Sequence, residues 1–494
     1  MTSVTVTDEP PILETTRSQL SSTVNDTAIQ NLPTNGRNFI NFALLTPGVT
    51  LDARGGDISF AGQRGTLNSL IVDGADNNNT FFGQTVGRTG SGRAPYQFSE
   101  DAVQEFQVNS NAYSAELGHA GGAVINVVTK SGTNNFHGTG FEFYRDQSLN
   151  ANDPINIINH RRKSPYHVNQ FGGDIGGPVF RDKLFFFFDY DGQRNTLPNV
   201  VFLGVAAPAT PTANQQTALS YLQARANSWV RTQNQNVYLG KADWHASSNE
   251  LVSVRYNAQR FVGNGFENGG TQNSFEHTGA SDVTTDTLSG SLTSTLSSTI
   301  VNGFRAGYTR DNEPGQANSI NPEATVSSGS VTDLVVGRNF FSPRFTNIHG
   351  GEFGDTLSLI RGRHTIKTGA NVLLDKIANF FPGNFSGAYV FRCLENFGRS
   401  LQGLPLVVTN TAQDPCPAAS PSTPTLPADT FTQAFAGPGT TGPTTNPNLQ
   451  EYSFFGQDEW RVRTNLTLNL GLRYDLNLIA QPPTLNPSAS LAAA

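Results

Sequence analysis

Apolar and polar residues alternate with period two over long stretches from Phe136 onward. Val252, Val254, Tyr256 and Ala258 fall on one face of an extended segment, and Ser253, Arg255, Asn257 and Gln259 on the other. Leu466, Leu468, Leu470, Leu472 and Tyr474 oppose Thr467, Asn469, Gly471, Arg473 and Asp475 in the same way. Leu288, Leu292 and Leu296 oppose Ser289, Ser291, Thr293 and Thr295. One apolar and one polar face marks a strand buried on one side. The pattern predicts eleven strands, over 136–145, 168–180, 183–194, 236–246, 249–261, 285–296, 299–311, 353–360, 364–376, 451–462 and 465–475.

The connections between these windows alternate in length. Five are two or three residues: Arg181-Asp182, Ser247-Ser248, Ser297-Ser298, Arg361-Gly362-Arg363 and Val462-Arg463-Thr464. The other five, 146–167, 195–235, 262–284, 312–352 and 377–450, each span at least 22 residues. Short and long connections in strict alternation predict an up-and-down meander with turns at one rim and long loops at the other. Outer-membrane barrels have this asymmetry. A soluble β-sandwich shares the two-faced strands, but connections beyond about 15 residues are uncommon in it.

Residues 1–133 follow a different pattern. Val4 and Val6 alternate with Thr before Pro10-Pro11 ends any strand. A helix-compatible stretch runs from Thr23 to Gln30, and short strand-like runs cover Ile58–Ala61, Ser69–Val72, Glu105–Val108 and Ala123–Thr129. The expectation is a small α+β domain ahead of the long strands, in a chain that is mainly β.

Composition narrows the solvent. Charged residues make up 14% of the 494 positions, against about 25% in soluble domains. Phe occurs 34 times and Gly 49 times, while the only Met is residue 1. No apolar run approaches the roughly 18 residues of a membrane helix, a test that β-strands escape because only every second residue faces lipid. Arg255, Lys367, Arg305 and Arg473 lie on the polar faces, which suits a wet lumen better than a dry sandwich core. Tyr144, Tyr190, Phe261, Tyr308, Trp460 and Tyr474 lie near strand ends. They fit either interfacial aromatic girdles or the ordinary β-preference of aromatic residues. The net charge is −7, and Arg161-Arg162-Lys163 is the only basic run, so a broad nucleic-acid surface is not expected. The first ten residues contain no basic and then apolar segment of the secretory kind.

At this point the residues resemble a known family, the TonB-dependent outer-membrane receptors, in particular the Oar-like group. Gln30-Asn31-Leu32-Pro33-Thr34-Asn35-Gly36-Arg37-Asn38-Phe39, Leu44-Leu45-Thr46-Pro47-Gly48-Val49, Ile58–Gly65 and Leu70–Asn78 look like the opening and centre of its plug domain. Asp101–Phe106, Tyr113–Gly118 and Gly121–Gly132 look like the end of the plug, and Asn135-Phe136-His137-Gly138 like entry into the first barrel strand. Tyr452–Trp460 with Leu466–Asp475 resembles a barrel hairpin. The resemblance implies a plug domain over 1–133 and an Oar-like β-barrel over 134–494. It implies a family barrel of about 22 strands, of which about eleven are present, so the chain reads as a fragment truncated at its C-terminus and lacking its signal peptide. It implies residence in the outer membrane, TonB as periplasmic partner, and energy-coupled uptake of a scarce small-molecule, saccharide or peptide ligand. An outer-membrane adhesion or surface-organising protein of the same architecture, without import, is the alternative.

Candidate chemistry is sparse. No H-E-x-x-H, Gly-x-Ser-x-Gly or P-loop spacing occurs, so neither an enzyme nor a cofactor-bearing protein is expected. The Asp73–Asn79 run offers oxygen ligands for Ca²⁺, but Ala75 interrupts the acidic spacing of an EF-hand loop, and an Asx-rich turn is the plainer reading. Arg64, in the plug motif, is expected either as a solvated turn residue or as a plug–barrel latch paired with Glu142 and Glu459. Cys393 and Cys416 share the longest connection. They form a disulfide if that loop is extracellular, or two free thiols otherwise. Pro, Thr and Gly dominate 404–448, the composition of a mobile surface flap.

Overall fold

The computed structural model describes residues 20–32, 34, 36–51, 58–85, 94–111, 114–158, 160–204, 208–328, 331–407, 409–410, 415–416, 429–436 and 442–480. The expected Val4–Val6 strand lies outside the described residues.

Eleven long strands follow one another in a single antiparallel sheet whose spatial order is the order of sequence. They are β1 His137–Asp146, β2 His167–Phe180, β3 Leu184–Asn199, β4 Trp229–His245, β5 Glu250–Glu267, β6 Gly279–Ser297, β7 Ile300–Asn312, β8 Phe345–Arg361, β9 His364–Phe380, β10 Leu449–Arg463 and β11 Leu466–Ile479. Every expected window is a strand. Several strands run further toward the long-loop rim than their apolar pattern: β4 begins at Trp229 and β8 at Phe345. Arg231-Thr232-Gln233-Asn234-Gln235 of β4 is polar on both faces, and 345–352 of β8 has no regular apolar alternation, so the pattern could not reveal these extensions. The 262–284 connection accordingly contracts to 268–278.

The sheet is inverted relative to a soluble protein. On β5, Arg255, Asn257 and Gln259 are buried, Asn257 completely, while Val254 and Tyr256 are each 44% exposed. Asp189, Asp191 and Gln193 are buried on β3 while Phe188 is exposed, and Leu288 on β6 and Phe304 on β7 are also exposed. Apolar side chains facing out over a buried polar face are stable where the outer solvent is hydrocarbon. Among the expected girdle residues, Tyr144, Tyr308 and Tyr474 are exposed, and Trp460 stacks on His364. Phe261 is a correction. It is fully buried against Ala94 and Val283, because it shares the parity of Arg255, Asn257 and Gln259 and therefore points inward.

The buried face is covered by an N-terminal unit. Its five-stranded sheet has the order 20–24, 103–111, 124–129, 69–72, 75–76. The helix Asp26–Asn31 is capped by the Asn25 side chain, which accepts from the Ala28 amide at 3.0 Å. Phe39, Phe42, Phe106, Val72, Val108 and Val127 form its core, which continues into Phe187 of β3 and Leu239 of β4. Arg37 lies over Phe141 and Phe143 of β1, and the Arg473 guanidinium of β11 donates to the carbonyls of Ala115 and Glu116. Both ends of the strand order thus touch one small domain, so the sheet curves around it.

The long connections fold together into a cap. Val331–Val336, Glu323–Ser328, Ala388–Phe391 and Thr430–Thr432 form a four-stranded sheet. The helices Ala213–Gln223 and Leu394–Leu401 pack on it around Leu219, Leu222, Val326, Leu334, Phe391, Leu394 and Phe397. The helices meet at Gly398, where a Cβ would stand 1.9 Å from the Asn214 carbonyl oxygen. Within the expected 404–448 flap, Thr430–Thr432 is tied down as the exposed edge strand of this sheet, paired with Ala388–Phe391, a pairing too distant in sequence for composition to reveal.

The lipid-facing reading of the outer wall predicts that Leu288→Arg, at mid-strand, costs about 2–4 kcal/mol in bilayer unfolding measurements. Arg at Ile320, which is 89% exposed in a long loop, should leave stability within about 0.5 kcal/mol of the parent.

Candidate functional site

The functional geometry lies where the N-terminal unit meets the polar wall. The contact is made of many separate polar bonds rather than one apolar seam. Ala94–Glu100 runs along β2 to β5, with Tyr96 at its centre and 1% exposed. Gln170 and Gln193 donate to the Tyr96 hydroxyl oxygen at 2.5 and 2.8 Å, and Gln235 and Gln259 donate to its carbonyl oxygen at 2.8 and 3.1 Å. Asn257 donates to the Gln97 carbonyl at 3.1 Å. Burial and the neighbouring Asp191 push the Tyr96 phenol well above its usual range, so it stays neutral.

A second anchor is the tight turn at Asp73-Gly74, where both residues have positive φ (48° and 83°). Asp73 accepts from the Thr129 amide at 2.9 Å and its hydroxyl at 2.7 Å, which holds the turn against the unit's own sheet. It also pairs with two cations of the wall, Arg255 at 3.0 Å and Lys241 at 3.6 Å. Burial alone would raise the Asp73 carboxyl, but Arg255, Lys241 and the Thr129 hydrogen bonds outweigh it and hold the group below its ordinary 3.8. The Asx-rich run is thus a structural turn whose first acid is fully engaged by protein partners.

Further bonds come from the same run. The Asp76 amide donates to Glu352 at 2.7 Å, and Glu352 pairs with Arg305 at 3.3 Å. Asn79 donates to Asp311 and Glu313 at 3.2 and 3.1 Å, and Thr80 to Asp375 at 2.7 Å. Near the end of the unit, Ser114 donates to Gln457 at 2.5 Å and Glu116 pairs with Lys367 at 2.9 Å. His119 stands 3.7 Å from both Asp76 and Glu451. Between these contacts lies a solvent-open cleft of about 490 Å³, lined by Asp76, His119, Arg305, Glu352, Glu451 and Arg473 among others. The set offers charge and hydrogen bonds on both sides of a seam, with space beside it. Such an arrangement can hold a domain and release it.

The expected latch is not the one assembled. Arg64 is exposed on its turn, Glu142 is exposed on β1, and neither is paired with the other. Glu459 pairs with Arg461 at 3.6 Å. The Arg and Lys ion pairs across the seam have the opposite sense, with Arg255 and Lys241 on Asp73 and Lys367 on Glu116, while the wall carboxylates Glu352, Asp311, Glu313 and Asp375 accept hydrogen bonds from the unit. Arg255, Lys367, Arg305 and Arg473, expected to face a wet lumen, all contact the unit or its immediate partner. Tyr96 went unforeseen, because a single Tyr in a polar segment carries no pattern. Cys393 is buried and disulfide-bonded, and the side chain of Cys416 lies outside the described residues.

An antiparallel meander, inverted in polarity and wrapped around a small α+β unit, defines an outer-membrane β-barrel protein, and comparison with known proteins agrees. The sequence model of the outer membrane beta barrel domain matches residues 128–220 and 199–487. The chain belongs to that family, and its place is the outer membrane. It is 31% identical over 156 residues to the TonB-dependent transporter Oar of Myxococcus xanthus, covering 31% of this chain and 14% of that protein. Its fold is similar to the outer membrane transporter YddB from Escherichia coli, with TM-score 0.60 and 13% identity over 92% of this chain and 56% of that one. It is also similar to FpvA of Pseudomonas aeruginosa, with TM-score 0.57 and 14% identity over 94% and 52%. The ferric enterobactin receptor PfeA of the same species gives 0.56 and 12% over 92% and 57%. The chain therefore spans about half the length of these solved structures.

Removing Arg255 leaves Asp73 buried without its nearest cation. Arg255→Ala is expected to weaken docking of the unit by about 3–5 kcal/mol, read as protease protection of the unit. Because the folded Asp73 value lies below 3.8, its contribution is complete above that pH. It is lost as pH falls through the folded value. The difference in docking between wild type and Asp73→Asn should stay level from neutral pH to about 4 and shrink below it.

Proposed function

We propose that residues 1–133 are the plug, and 134–494 about half of the barrel, of a TonB-dependent receptor that takes up a scarce ligand across the outer membrane. The observation that carries this reading is the seam itself. A unit held in a lumen by many small polar bonds can be displaced stepwise by a pulling partner, whereas an apolar core could not. TonB would pull from the short-turn rim, taken as periplasmic. The ligand, a small molecule, saccharide or peptide, would meet the cap and the long-loop rim outside. The relatives' names, among them a TonB-dependent transporter and a ferric enterobactin receptor, supply the direction of this reading.

The test is a tether across the seam. Thr80 donates to Asp375 of β9 at 2.7 Å, far from the 133/134 junction, so Thr80→Cys with Asp375→Cys would bridge plug and wall. Deletion of the gene should abolish growth on the transported nutrient. The tethered protein should restore that growth only in the presence of a reductant. A deletion strain that grows normally on every candidate nutrient but loses surface attachment would favour the adhesion alternative and refute import.

We also propose that Cys393 is bonded to Cys416, the chain's one other cysteine, in an extracellular loop. Thiol labelling of intact cells should be negative before reduction and positive after it. Labelling without reductant would exclude the bridge.

A further inference from the structure

The segment that carries Tyr96 onto the wall is itself gripped by one turn of the N-terminal unit. Gly36 and Arg37 have positive φ (83° and 52°), and the side chains around this turn reach residues 95–101. Thr34 donates to Glu100 at 2.6 Å, Arg37 to Asp101 at 2.6 Å, and Asn38 to the Pro95 carbonyl at 3.3 Å. The Arg37 guanidinium also stands 3.6 Å from Glu100, and it lies 4.4 and 4.8 Å from the ring centres of Phe141 and Phe143 on β1. One planar cation thus serves two carboxylates and two aromatic faces.

Those two carboxylates have further acids beside them. Asp174 of β2 and Asp189 and Asp191 of β3 are close enough to Asp101 to repel its charge, and all three are buried. Asp191 accepts from Ser99 at 3.3 Å and from Gln170 at 3.0 Å, and Asp174 accepts from Thr139. Asp189 is fully buried, and neither of its oxygens has a hydrogen-bond partner among the described residues. The cations that act on this corner are Arg37 and Lys130. Burial raises the Glu100 and Asp101 carboxyls above their ordinary 4.5 and 3.8, and Arg37 opposes the rise in both.

We propose that Arg37 is the positioning residue that keeps the Tyr96 segment on the polar wall. Its guanidinium shields Glu100 and Asp101 from Asp174, Asp189 and Asp191. When the 34–38 turn withdraws, the five acids repel one another and the 95–101 segment lifts from the wall, so the glutamines around Tyr96 need not be broken one at a time. The inference deepens the proposed function, because it names where a pull on the unit becomes release. It concerns docking alone, and its test uses neither a ligand nor a pulling partner, so it can stand if import fails.

The experiment follows amide hydrogen exchange by mass spectrometry in the full chain in dodecylmaltoside micelles. At pH 7, Arg37→Gln should speed exchange of peptide 96–103 about tenfold, while 124–129 in the core of the unit keeps its wild-type rate. The ratio to wild type should shrink as pH falls toward 4, because the corner loses its repulsion as the acids take up protons. Arg37→Lys should retain most of the protection, and adding Asp101→Asn to Arg37→Gln should restore it. Asp101→Asn alone should leave 96–103 exchanging no faster than wild type, since it removes one of the repelling acids. Unchanged exchange of 96–103 in Arg37→Gln would overturn the proposal. So would a loss of protection that is equal at every pH and is not restored by Asp101→Asn, which would make Arg37 a packing group only. Faster exchange in Asp101→Asn alone would overturn it as well, even if Arg37→Gln failed to fold.

Discussion

A polar face that must be buried and an apolar face that must not is the constraint on which this molecule turns. In water, the residues Val254, Tyr256, Phe304 and Leu288 would turn inward and Arg255, Asn257 and Gln259 outward, yet the sheet does the reverse. Only a hydrocarbon solvent makes the outer face favourable. Once it does, the inner face cannot be left to collapse on itself, because a wall of Asp, Gln, Asn and Arg has no hydrophobic drive to close. The N-terminal unit supplies the hydrogen-bond partners for that wall. The docking of that unit on the buried face follows from the polarity of the strands.

The same constraint decides what kind of contact the unit makes. Its own core, around Phe39, Phe106 and Val127, is dry and continuous and crosses into the wall at Phe187 and Leu239, and Ala94 makes a smaller apolar contact with Phe261 and Val283. Elsewhere the contacts are single hydrogen bonds and ion pairs, each modest because both partners have water or neighbours to turn to when parted. Asp73 with Arg255 and Lys241 is the exception, a buried charged turn whose separation is costly. A seam of many weak bonds and one strong one has a natural order of opening, with the Asp76–Thr80 and Ser114–His119 contacts yielding before the Asp73 turn.

How much of this was legible in the sequence depended on whether a residue belonged to a pattern. Alternation disclosed all eleven strands and the parity of their faces, whereas Phe261, expected at the girdle from its nearness to a strand end, turns inward with the polar face. It could not disclose the upper ends of β4 and β8, where regular alternation vanishes. The cations of the seam were legible as lumen residues, because Arg255, Lys367, Arg305 and Arg473 stand on polar faces. Their partners were not, since Asp73 and Glu116 lie in loops whose spatial position no local rule states. Arg64 drew attention because it sits in a recognisable motif, and the structure places it at an exposed turn. The cap was illegible for a similar reason. Ala213–Gln223 and Leu394–Leu401 meet through Gly398 and Asn214, a contact that only the meander brings about.

The cap completes the logic of the strands. A barrel wall that ended at the headgroups would leave each long connection to pay the entropy of an open loop separately. By extending β4, β5 and β8 beyond the regularly alternating windows, the chain carries the loop bases past the apolar band. There, segments from three connections share one core of Leu219, Leu222, Leu334, Phe391 and Phe397. The Thr212 hydroxyl and the Asn214 amide both donate to Glu395, at 2.5 and 2.6 Å, and lock the helix starts together. A surface fixed this way can present side chains to a ligand in one arrangement, which loose loops of Pro, Thr and Gly could not. The outer rim is therefore rigid where the seam below it is weak. Under the proposed function, that contrast assigns ligand recognition to the cap and movement to the N-terminal unit.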